Sequence, residues 1–163
     1  MRYAQIRKKD IANGPGIRVS LFVQGCHFHC KNCFNSDTWD FNGGQEFKQE
    51  DLDRLLEYGK DVHVCGLSVL GGEPLNERNV DGVVEVCKAF REKLPDKSIW
   101  LWSGYTYENL NDNQRRVLDY LDVLVDGPFV DELKDFRLKY RGSSNQRVID
   151  AKKSSINNIV SMI

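Results

Sequence analysis

"IRVSLFVQGCHFHCKNCFN", Ile17 to Asn35, joins a strand to a cluster of thiols. Its first seven residues, Ile17–Val23, are mostly β-branched or apolar, the composition of a buried strand. That strand leads almost at once into Gly25 and three cysteines, Cys26, Cys30 and Cys33, separated by three residues and then two. Parallel α/β proteins collect ligands at the carboxyl ends of their strands. Chemistry-bearing side chains directly after a strand are therefore a first pointer to that class.

Working outward, the same alternation continues. "KQEDLDRLLEYG" places Leu52, Leu55 and Leu56 on one face and stops at Gly59, as a helix does. "GLSVLGGEP" is a short strand, Leu67–Leu70, broken by two glycines and a proline. "NVDGVVEVCKAFREKLP" carries Val80, Val83, Val84, Cys87, Phe90 and Leu94 at helical spacing before Pro95. "SIWLWSG" is a third strand. "NLNDNQRRVLDYL" is a third helix with Leu110, Val117, Leu118 and Leu121 inward and an Asn or Asp cap. "DVLVDGPF" is a fourth strand ending in a turn. Strand–helix alternation implies parallel strands with helical crossovers. The cysteines, "GGEP", "WSGY" and "VDGPF" then share one rim. "NGPG", Asn13–Gly16, precedes its strand, so it reads as a turn and not as a dinucleotide fingerprint, which follows one.

The bulk properties narrow the class. A chain of 163 residues suits one domain, expected over residues 1–150 with a polar tail over 151–163. Lys plus Arg (23) nearly balances Asp plus Glu (24), which argues against a nucleic-acid or anionic-membrane surface. No apolar run is long enough to span a bilayer, and "MRYAQIRKKD" lacks the apolar core of a signal peptide. Five cysteines, an odd number, then read as thiols and ligands of an intracellular protein in place of a disulfide framework.

Cys87, on an apolar helix face, and Cys65, just before a strand, are expected to be core residues. Three cysteines in one loop need another account. A zinc site of Cys26, Cys30, Cys33 and His27 or His29 is one reading, although a second ligand knuckle is absent and both histidines lie inside the first gap. An iron–sulfur cluster is the other. A [4Fe–4S] cube takes four thiolates, so three leave one iron open for a small molecule. On that reading neither histidine has an assigned role.

"CHFHCKNC" followed by "GGEP" at Gly71–Pro74 resembles the radical S-adenosylmethionine superfamily. The resemblance implies a [4Fe–4S] cluster held by Cys26, Cys30 and Cys33, with S-adenosylmethionine on the open iron. One electron from the cluster then cleaves the sulfonium to give a 5′-deoxyadenosyl radical. Gly71 and Gly72 would let backbone approach the cofactor, and their carbonyls with Glu73 would accept from its ammonium. Asn32, Cys33 and Phe34 would lie against the adenine. One departure is that Asn32 stands where the family often has an aromatic; Phe34 supplies the ring instead. Ser103 and Asp126, at strand ends on the rim, are cleft candidates, against the ordinary reading of Ser-Gly and Asp-Gly as turns.

A full eight-unit barrel takes about 250 residues. The expectation is therefore an incomplete parallel (βα) barrel of the radical S-adenosylmethionine type, with about five units and an open side. "DIANGPGIRVSLFVQGC", "SGYTYENL", "VLVDGPF" and "YRGSSNQRVID" resemble the family that activates anaerobic ribonucleoside-triphosphate reductases. That resemblance implies a protein substrate, the reductase, which would receive a glycyl radical, and an electron donor that the sequence does not identify. It also leaves "RGSSNQR", Arg141–Arg147, either closing over the cofactor or docking the reductase. A small-molecule enzyme such as a carboxy-deazaguanine synthase and a zinc-bound interaction module are the alternatives.

Overall fold

All 163 residues are described by the computed structural model. Its strands are β1 (Arg2–Asp10), β2 (Ile17–Val23), β3 (Gln45–Glu46), β4 (Val64–Gly71), β5 (Ser98–Trp102), β6 (Val123–Asp126) and β7 (Arg147–Asp150). They form one sheet in the order β3-β1-β2-β4-β5-β6-β7. The four strands expected from the sequence, β2, β4, β5 and β6, are mutually parallel. Helices α1 (Gln49–Gly59), α2 (Val80–Lys93) and α3 (Asp112–Arg115) lie in the crossovers between them. β1, β3 and β7 add antiparallel edges. No helix is long and apolar enough to cross a membrane.

Alternation along the strands gives the sheet two unlike faces. Val19, Leu21, Leu67, Val69, Ile99, Leu101 and Leu124 belong to the main core, with Leu55 of α1 and Val83, Cys87 and Phe90 of α2. The intervening residues occupy the other face. There Trp100, Val123, Val125 and Val148 make a small apolar cluster with Trp102 and Tyr140. Below it lies Arg18, fully buried, which donates to Ser68 Oγ at 2.7 Å, Ser98 Oγ at 2.9 Å and Leu67 O at 2.9 Å. Burial without a carboxylate partner pulls its guanidinium down to about 10. Neutral acceptors thus fill the bottom of this face, and its upper part remains free for a ligand.

Four elements depart from the sequence reading, one of them the two-residue edge strand β3. β1 was hidden because Arg, Lys and Asp are poor strand formers, yet its pairing with β2 hides Tyr3 and Asp10. β7 is embedded in the polar "RGSSNQRVID" run, where only Val148 and Ile149 signal burial. The third helix is one α turn, capped by Asn111 Oδ1 accepting from Gln114 N at 2.8 Å, and then tightens into a 3₁₀ segment, Arg116–Asp119. Leu110, Val117 and Leu121 still face inward, since the two pitches barely differ over so short a span. Beyond β7, Asp150 N donates to Val160 O at 2.8 Å and Met162 N to Val148 O at 2.7 Å, so the last residues run back along the strand.

Candidate active site

The cysteine loop is shaped by backbone conformation. Gly25 has φ +103°, and a Cβ there would come within 2.1 Å of the Phe41 ring. Gly25 N and Cys26 N donate to Thr38 O and Trp39 O at 2.7 and 3.0 Å. Asn32 adopts φ +58°, a left-handed conformation that asparagine tolerates, and Cys33 N then closes on Cys30 O at 3.1 Å. Cys26 is buried, while Cys30 and Cys33 are half-buried. Burial pushes the Cys26 thiol up to about 11 and raises Cys30 as well. Any metal taken by these sulfurs must displace their protons.

The double glycine brings the end of β4 against this loop. Gly72 N donates to Val23 O at 2.9 Å and Glu73 N to Gly25 O at 2.7 Å. A Cβ on Gly72 would sit 2.4 Å from Gly25 O, so close approach to the backbone of the cysteine loop already requires glycine there. Glu73 is buried and its carboxylate is well used: Oε1 accepts from Gly104 N at 2.6 Å, and Oε2 from Leu75 N and Ser103 Oγ, both at 2.8 Å. Two oxygens offer about four acceptor sites, so about one remains, on Oε1.

All three cysteines, Phe34, the Gly71–Glu73 turn and Ser103 line one cavity of about 360 Å³ beyond the carboxyl ends of the parallel strands. That volume is in the range of small-molecule sites. Asn32 is the exposed turn residue beneath the loop and does not line the cavity. Asp126 is outside it too: its oxygens accept from Arg147 and from Tyr107 N at 2.8 Å. The neighbours of Asp126 reach the cavity instead, through Gly127, Pro128 and Phe129. Sequence reading missed Arg7 in the wall, put Trp102 on the rim within "WSGY" without singling it out, and gave Arg141 and Gln146 no definite place. The rim positions of "WSGY" and "VDGPF" and the unabsorbed "RGSSNQR" run pointed toward that side.

The donor set discriminates between the two metal readings. His27 Nδ1 lies 2.9 Å from Asn76 Nδ2 and Nε2 3.4 Å from the Tyr105 hydroxyl, while His29 stacks on Trp39 at 4.5 Å. Neither ring turns toward the thiols, and no three His, Cys, Asp or Glu side chains close on the position of a single ion. Three sulfurs on one cavity wall, without a fourth protein ligand, fit a cluster better than a Cys3His zinc ion. Cys87 is sealed in α2. Cys65, expected in the core, is instead exposed at the opposite end of β4, with Sγ against the Gly16 turn, because the strand has only just begun there.

Comparison with known proteins points to an iron–sulfur cluster. The family model described as a 4Fe-4S single cluster domain matches residues 12–149. The chain is 45% identical over 150 residues to the anaerobic ribonucleoside-triphosphate reductase-activating protein of Salmonella typhimurium, covering 91% of this chain and 97% of that one. The protein of the same name from Vibrio cholerae is 43% identical over 148 residues, covering 90% and 96%. Its namesake in Enterobacteria phage T4 is 37% identical over 148 residues, covering 91% and 93%.

Proposed function

This chain belongs to the family of anaerobic ribonucleoside-triphosphate reductase-activating proteins, and from that premise we propose that it installs a glycyl radical on such a reductase, using S-adenosylmethionine at a [4Fe–4S] cluster held by Cys26, Cys30 and Cys33. The observation that carries the reading is the shared cavity: three thiols from the loop after β2 face the Gly71–Glu73 turn after β4. Cys26, Cys30 and Cys33 would hold the cluster, which would supply one electron for reductive cleavage of S-adenosylmethionine to methionine and a 5′-deoxyadenosyl radical, the species that would take a Cα hydrogen from a glycine of the partner.

The chain's own residues bind and orient. The free acceptor site on Glu73, with the carbonyls of the double glycine, suits the ammonium of the cofactor. Phe34, its ring tilted against that of Phe129 with centroids 5.0 Å apart, supplies an aromatic wall for the adenine. Four parallel strands with three crossovers, edged by antiparallel strands, support an incomplete barrel of the radical S-adenosylmethionine type. Its unclosed side leaves room for a loop of a protein substrate.

The test is electron paramagnetic resonance on the anaerobically reconstituted, reduced protein. A [4Fe–4S] signal that changes when S-adenosylmethionine is added, followed by a glycyl-radical signal only when reductase is present, is the expected result. Zinc in place of iron and sulfide after reconstitution would end this reading.

A further inference from the structure

Only two basic side chains line the cavity, Arg7 and Arg141. Arg7 is engaged: its guanidinium lies over the Phe22 ring at 4.5 Å and 4.0 Å from Asp10 Oδ2. Arg141 is not. Its one protein bond is long, Nη1 to Lys139 O at 3.4 Å, and its Nε is buried with no partner. An orphaned, charged donor in a cavity wall costs free energy unless a ligand satisfies it.

The backbone on both sides of Arg141 is held in place. Tyr140 sits at φ +66°, which costs a non-glycine residue about 1–2 kcal/mol. It is kept there by Trp102 Nε1 donating to its carbonyl at 2.7 Å and by its ring meeting Trp100 edge-on at 4.9 Å. Gly142 packs so tightly under Phe34 and Phe129 that a Cβ would come within 2.8 Å of the Phe34 ring, and its N–H donates to Gln146 Oε1 at 2.9 Å. Gln146 Nε2 in turn donates to Gly127 O at 3.0 Å. Strain maintained from both sides aims one side chain at the rim next to Phe34, the residue following the third cysteine.

We infer that Arg141 is the specificity-determining group for the carboxylate of S-adenosylmethionine, its guanidinium pairing with the α-carboxylate while Glu73 and the glycine carbonyls take the ammonium. The inference rests on the cofactor reading above. It gives part of the "RGSSNQR" loop a binding role, and it explains why the cavity has one carboxylate on one side and an uncompensated guanidinium on the other. A planar fork matches a carboxylate better than a point charge does.

The experiment compares S-adenosylmethionine with its decarboxylated form, which retains the ammonium, sulfonium and adenosine. Equilibrium dialysis on the anaerobic, cluster-loaded protein gives both affinities. Wild type is expected to prefer the carboxylated form by more than about tenfold, because the carboxylate gains both a charge-assisted contact and the open iron. Arg141→Gln should lower that ratio about tenfold by weakening only the carboxylated form, the remaining preference being the carboxylate's hold on the open iron, with iron content unchanged and the melting temperature not lowered. Arg141→Lys should lower the ratio severalfold, and it decides the case if the Gln variant does not hold its cluster. A wild-type ratio retained by the Gln variant, or by the Lys variant when it alone is usable, overturns the assignment. Wild-type protein with an intact cluster that binds neither compound overturns the cofactor reading itself; binding both equally overturns only the role of Arg141.

Discussion

Arg147 closes on Asp126 through two N–H groups, Nε to Oδ1 at 3.0 Å and Nη2 to Oδ2 at 2.5 Å. The two residues face each other across the β6–β7 pairing, and the Asp126 side chain is only 1% exposed. The same arginine reaches outward to Glu108 Oε1 at 2.5 Å. A carboxylate at a strand end, expected from sequence to line the cleft, is thus a clamp holding β7 onto the sheet and, through β7, the loop that carries Arg141.

Removing each partner should therefore cost different amounts. Arg147→Met strips a buried carboxylate of its cation and is expected to destabilise by about 3–5 kcal/mol. Glu108→Ala removes only the solvent-side acceptor and should cost no more than about 1 kcal/mol. Urea denaturation at neutral pH measures both. Equal, small losses would mean that Asp126 is not dependent on Arg147.

Glu73 should leave a signature in the pH dependence of stability. Burial, the largest influence, pushes its carboxyl from 4.5 up to about 7, against three hydrogen bonds that favour the charged form. The folded chain then holds this proton more tightly than the unfolded chain. Its contribution is fully present below about 4.5 and is lost as pH rises through about 7, a change of about 3 kcal/mol. The difference in denaturation midpoint between wild type and Glu73→Gln, measured from pH 4.5 to 7.5 on metal-free protein, should track that window. A difference that does not vary with pH would show that Glu73 titrates normally.

Much of this arrangement was legible in the sequence because it is written in periodicity. Ile17–Val23 is the observed β2 to the residue, and the apolar spacing of Val83, Cys87 and Phe90 correctly put α2 on the core. The shared rim followed from strand ends alone. What escaped depends on partners distant in the chain. β1 is a strand because β2 pairs with it, in spite of its own charged residues. Nothing within "GGEP" reveals that Ser103 and Gly104 donate to its glutamate from thirty residues away, nor that its second glycine faces Gly25. Arg141 lay in a run whose polarity fits a solvated loop equally well; its orphaned Nε exists only in three dimensions.

The five cysteines should separate cleanly by function. Alanine at Cys26, Cys30 or Cys33 is expected to abolish cluster assembly, read as loss of iron, sulfide and the charge-transfer absorption after anaerobic reconstitution. Cys65→Ala, at the exposed far end of β4, should leave both assembly and stability unchanged. Cys87→Ala empties a fully buried site in α2 and should cost about 1 kcal/mol while keeping the cluster. A normal cluster in the Cys30 variant would contradict the ligand set.

Gly72→Ala probes how far the double glycine serves the protein before it serves any cofactor. The new methyl would meet the carbonyl of Gly25 at 2.4 Å, and that backbone cannot retreat, because Gly25 N is bonded to Thr38 O and Gly25 O accepts from Glu73 N. Either the β4 turn or the cysteine loop must shift, breaking one of these bonds at about 1–3 kcal/mol. The metal-free variant should therefore already be destabilised, by a comparable amount in urea, and should assemble less cluster although every cysteine is intact. Full stability with only a weakened response to S-adenosylmethionine would instead assign Gly72 to the cofactor alone.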